Sequence, residues 1–156
     1  MKTELTSQLN DYLANLGVMY IKIHNLHWNI VGVNFKSTHE YLEVLYKGFG
    51  DALDDIAECI KMHHGFPLAS LKDYLAHATV TELESQQYCV SDALVIVLAD
   101  IKSLKLQAEE ARRAADADDL YDVVALLEDQ LENYCKTLWF LEAMACCQST
   151  VDCNPQ

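Results

Sequence analysis

The chain has 156 residues, which suits one domain, and 51% of them are hydrophobic, which excludes a disordered chain. Eleven Lys+Arg against 24 Asp+Glu give a formal net charge of −13, a field that repels phosphate backbones unless a local basic arm overrides it. The longest unbroken apolar run, the seven residues Ala93–Ala99, is far short of the ~18 needed to cross a bilayer, and Met1–Gln8 has no apolar signal core, so a cytoplasmic protein is expected.

Taken in chain order, the apolar residues advance in steps of three or four. Leu5, Leu9, Tyr12, Leu16, Met19, Ile23, His27 and Ile30 predict a first helix of about 28 residues. Val31–Lys36 reads as a break, with Ser37 or Thr38 as the N-cap of the next helix. This second helix is expected from about 38 to 64, on Leu42, Leu45, Phe49, Leu53, Ile56 and Ile60, ending at Gly65 and Pro67. His63 and His64 would sit at its C-terminus, where partly positive imidazoles suit the helix dipole. Residues 66–82 form a long connection with a short helix over 70–77. A third helix is expected over about 83–114, carrying Val90, Leu94, Val97, Ile101, Leu104 and Ala108. Asp116–Asp119 supply a turn and an N-cap, and a fourth helix runs over about 119–146 on Val123, Leu127, Leu131, Tyr134, Leu138 and Leu141.

Only five glycines and two prolines occur, the punctuation of long helices and not of a sheet. The reading is an all-α protein: one ferritin-like four-helix bundle over residues 1–156, with an extra short helix in the long connection between helices two and three. Six cysteines, Cys59, Cys89, Cys135, Cys146, Cys147 and Cys153, form no Cys-x-x-Cys and are expected as reduced thiols. The last three crowd the C-terminus, where oxidation would cross-link them.

Helix two holds two pairs at i, i+4: His39 with Glu43, and Asp54 with Glu58. Imidazole and carboxylate together are ligands for iron, manganese or zinc. Either pair alone is more often a solvated helix face. Eleven positions separate Glu43 from Asp54, about 16 Å along a helix, whereas two metals sharing one site lie about 4 Å apart. The two pairs of one chain therefore cannot meet. They can meet if helix two lies antiparallel to its copy in a second subunit, so that a twofold axis joins the His39 pair of one chain to the Asp54 pair of the other, twice. Gly48 and Gly50 fall at the midpoint of that arrangement. Close approach of two backbones and ordinary tolerated glycine explain them equally well. His27, at the end of the first helix, is a further ligand candidate, although a lone His on an apolar face is more often a core residue. A site built within one bundle uses Glu-x-x-His motifs, and this chain has none.

The stretch His27-Trp28-Asn29-Ile30-Val31-Gly32-Val33-Asn34-Phe35-Lys36-Ser37-Thr38-His39-Glu40-Tyr41-Leu42-Glu43, followed by Asp54-Asp55-Ile56-Ala57-Glu58, resembles the Dps family, the mini-ferritins named as DNA-binding proteins from starved cells. Lys136–Glu142 is similar to that family's last helix. The family more often has Asp where Glu43 stands, and usually Arg where this chain has Cys59. The resemblance implies a dodecameric hollow shell with di-iron ferroxidase centres at dimer interfaces. His27, His39 and Glu43 would come from one subunit, and Asp54 and Glu58 from its twofold mate. Fe(II) would be oxidised, with hydrogen peroxide as the preferred oxidant, and stored as ferric mineral; such centres also take Zn or Mn. Trp28 would either intercept stray oxidising equivalents or serve as a core aromatic. Asp116, Asp118, Asp119 and Asp122 would either line a pore for iron or form a solvated capping turn.

Two other functions compete. A nucleoid protein that compacts DNA would need a mobile basic tail, but residues 1–10 carry one Lys and one Glu, and residues 148–156 carry no Lys or Arg, so direct DNA binding is not expected. A pure assembly module would not need ligand-type side chains at all five positions.

Overall fold

The computed structural model describes residues 1–145. Cys146, Cys147, Cys153 and the C-terminal stretch without Lys or Arg lie outside them. The elements in order are α1 (Thr3–Asn29), β1 (Ile30–Val31), α2 (Phe35–Met62), α3 (Leu71–His77), β2 (Tyr88–Cys89), α4 (Val90–Ala117) and α5 (Tyr121–Ala145). Helix α1 packs on α2 and α4 on α5; α1 also lies against α4 and α3. The outcome is an all-α bundle of four long helices, with the short α3 inside the connection between the second and third of them.

The apolar stripes form one core. Leu9, Leu13, Leu16, Met19 and Ile23 of α1 meet Leu42, Ile56 and Ile60 of α2, Leu94, Val97 and Leu104 of α4, and Leu127 and Leu141 of α5. Several polar groups inside it are paired. The Tyr12 hydroxyl donates to Gln130 Oε1 at 2.7 Å and lies 2.5 Å from the Tyr134 hydroxyl. Lys22 and Asp100 form an ion pair at 2.6 Å between α1 and α4. Asn15 pins the long connection: its Oδ1 accepts from the backbone amides of Thr79 at 2.9 Å and Val80 at 2.8 Å, while Nδ2 donates to Gln107.

Two helix ends follow one design. At the end of α2 the His64 amide bonds the Lys61 carbonyl and the Gly65 amide bonds the Ile60 carbonyl, with His64 left-handed at φ 63°. A Cβ on Gly65 would sit 2.7 Å from Ile60 Cγ2, so glycine is needed there for space. At the end of α4, Asp119 takes the left-handed place at φ 54°, and the Asp119 and Leu120 amides bond the Asp116 and Ala115 carbonyls. Helix α3 starts as expected, with Ser70 Oγ accepting from the Asp73 amide at 3.1 Å.

Three expectations are corrected. The N-cap of α2 is Asn34, left-handed at φ 65°, and not Ser37 or Thr38; asparagine tolerates that conformation where the chain reverses after Gly32. Helix α4 begins at Val90, not near 83. Asn25 Nδ2 donates to the carbonyls of Leu83 and Glu84, both at 3.1 Å, and holds that segment out of the helix. Sheet is present: Ile30 pairs with Tyr88 and Val31 with Cys89 in a two-residue parallel ladder. This ladder ties the break after α1 to the start of α4. Among the described residues no helix is long and apolar enough to cross a membrane, and no disulfide forms: Cys59 is buried, Cys89 half-buried and Cys135 exposed.

Candidate metal centre

The reversal between α1 and α2 places His27, in the last turn of α1, beside His39, near the start of α2. The two bond reciprocally: Nδ1 of His27 donates to the His39 carbonyl at 2.8 Å, and Nδ1 of His39 donates to the His27 carbonyl at 2.8 Å. A carbonyl only accepts, so each Nδ1 carries a proton, and Nε2 is the nitrogen that each ring can offer a metal. The rings stack with centroids 3.7 Å apart and planes 19° apart. Phe35 lies over His39 at 5.3 Å, and Tyr46 meets His27 edge-on at 5.3 Å. Backbone bonds and neighbouring rings thus fix tautomer and orientation together, the support that a ligating histidine requires.

Glu43 stands one turn after His39 with its side chain 39% exposed, and Lys47 Nζ lies 2.5 Å from its Oε1. That hydrogen bond and the Lys47 charge hold the Glu43 carboxyl below its ordinary range, with smaller contributions from His27 and His39. Asp54 and Glu58 lie further along α2, both exposed, one turn apart. The structure brings His27, His39 and Glu43 to one end of α2 and leaves Asp54 and Glu58 apart from them. Within one chain, among the described residues, no three His, Cys, Asp or Glu side chains are grouped closely enough to hold a metal ion.

The profile of the ferritin-like domain matches residues 6–145. The chain is 32% identical over 135 residues to the "DNA protection during starvation protein" of Helicobacter pylori, covering 86% of this chain and 94% of that one. It is 36% identical over 141 residues to the protein of the same name from Brevibacillus brevis, covering 86% and 90%. The crystal structure of antigen TpF1 from Treponema pallidum superposes with a TM-score of 0.89 at 32% identity, covering 91% of each chain.

The chain belongs to the Dps family of ferritin-like proteins.

Other residues singled out by sequence in this Dps chain divide by environment. Trp28 is 67% exposed and tilted against the His24 ring at 5.2 Å, so it is not a core aromatic. A Cβ on Gly50 would come 3.2 Å from the Tyr20 ring, while Gly48 faces open space. The acidic cluster is engaged within the chain: Asp116 with Arg112 at 3.1 Å, Asp118 with Lys2, Asp119 with the Tyr121 hydroxyl at 3.2 Å, and Asp122 with His63 at 2.8 Å. Two residues of the site were missed by sequence reading, Tyr46 and Lys47. Lys47 had a signal, its i, i+4 spacing from Glu43; Tyr46 had none beyond its place on the same helix.

Proposed function

We propose that this Dps protein stores and detoxifies iron: it takes Fe(II) as substrate, oxidises it with hydrogen peroxide at centres shared by two chains, and keeps the Fe(III) as mineral in a dodecameric shell. The observation that carries this reading is the reciprocal bonding of His27 and His39, which leaves Nε2 of each ring as the atom to bind a metal, at the end of α2 that carries Glu43. The DNA-protection names of its relatives support the same reading.

His27, His39 and Glu43 supply one half of the centre, and Asp54 and Glu58 of a second copy supply the other. Antiparallel packing of two α2 helices about a twofold axis makes two such centres per dimer. The carboxylates are hard anionic ligands suited to Fe(III), and the imidazoles hold Fe(II). Hydrogen peroxide takes one electron from each of two Fe(II) and leaves as two hydroxide ions. No hydroxyl radical is released, and DNA is spared by removal of both reactants. The acidic balance of the chain, −13, draws Fe(II) toward it.

The His39→Ala and Asp54→Ala variants test the assignment. Loss of an outer-shell partner alone typically costs a metal site about 10–100-fold, so each variant is expected to slow peroxide-driven Fe(II) oxidation at least about tenfold. Undiminished rates in both would remove the centre. Direct DNA binding is not part of this function. At −13 the protein is expected to leave duplex DNA unshifted in a gel at physiological salt. A salt-sensitive shift would favour the nucleoid-binding alternative.

A further inference from the structure

We propose that Lys47 is a displaceable counter-ion on Glu43 that makes divalent-metal loading depend on assembly of the two halves of the centre. This rests on the proposed two-chain centre. Lys47 Nζ lies 2.5 Å from Glu43 Oε1, and its side chain is 63% exposed. The ammonium therefore occupies one of the two carboxylate oxygens open to a metal, on a flexible stem free to swing into solvent.

The charge balance gives this contact its consequence. His27 and His39 can ligate a metal only as neutral imidazoles through Nε2, because each Nδ1 is held by a backbone carbonyl. Glu43 is then the anion among the three candidate ligands of its half, and Lys47 cancels it. The nearest turn of α2 toward the N-terminus adds no net charge, since Lys36 and Glu40 pair with each other at 3.3 Å. The one carboxylate that an isolated half offers a dication is thus already neutralised. When Asp54 and Glu58 of a second copy join it, three carboxylates face one ammonium, and a divalent ion displaces Lys47. The lysine thus lowers affinity at an unassembled half and still permits loading of the complete centre.

Zn(II) titration calorimetry on the assembled protein tests this without any turnover. Exposed ion pairs are weak, so Lys47→Gln is expected to tighten Zn(II) binding about two- to fivefold and to flatten its salt dependence. Lys47→Arg keeps the charge and is expected to bind Zn(II) within about twofold of the parent. Unchanged or weaker Zn(II) binding by Lys47→Gln would overturn the proposal, leaving the contact as an ordinary helix-surface pair. His39→Ala, run alongside, separates the two levels. If it loses Zn(II) while Lys47→Gln matches the parent, the lysine's role alone fails. If it binds Zn(II) as the parent does, the centre itself is misassigned and the proposal falls with it.

Discussion

Lys22 and Asp100 show what single side chains contribute to this fold. The Lys22 side chain is 4% exposed and that of Asp100 17%, so the pair crosses between α1 and α4 almost out of water. Burial raises the Asp100 carboxyl and the Lys22 charge pulls it back down. Such a pair is costly to break and cheap to replace. Asp100→Ala is expected to destabilise by about 3–5 kcal/mol, because it leaves a buried ammonium alone, whereas Lys22→Met with Asp100→Leu is expected to recover most of the loss. Melting temperatures at one fixed protein concentration check both. No sequence signal marks this pair, because residues 78 positions apart share no local pattern. Of the five proposed ligands, His39, Glu43, Asp54 and Glu58 were legible as candidates in residue type and spacing, and His27 entered through the family resemblance. What holds two of them was not: the reciprocal bonds of His27 and His39 use backbone carbonyls, which carry no residue signature.

At the scale of elements, the long helices were legible because their stripes repeat over many turns, and errors fell at their ends. Thr81-Glu82-Leu83-Glu84 has the spacing of a capping box, yet the helix waits until Val90 because Asn25, 58 residues away, claims the Leu83 carbonyl. The two-residue ladder between β1 and β2 is too short to show alternation. Between α2 and α5, His63 and Asp122 form a pair whose pH dependence has a definite sign. The hydrogen bond from His63 holds the Asp122 carboxyl below its ordinary value of 3.8. A carboxyl depressed in the folded state adds stability above its unfolded pKa and loses it as pH falls through the folded one. Stability is therefore expected to fall with pH below about 4, and Asp122→Asn is expected to flatten that limb, as measured by melting temperature against pH.

At the scale of the whole molecule, the fold keeps Asp54 and Glu58 apart from His27, His39 and Glu43, and in the proposed centre a second copy unites them. A family resemblance and a distance along one helix lead to the same arrangement, and the distance does not depend on the resemblance. The measurement that bears on it most directly is complementation in shells co-assembled from His39→Ala and Asp54→Ala chains. If each centre spans two chains, a mixed pair contains one centre with both defects and one with none. Random mixing then restores about a quarter of the parent's peroxide-driven Fe(II) oxidation, although each variant alone runs at about a tenth or less. Shells that stay as inactive as the separate variants would contradict the account, because they would place every ligand of a centre on the same chain.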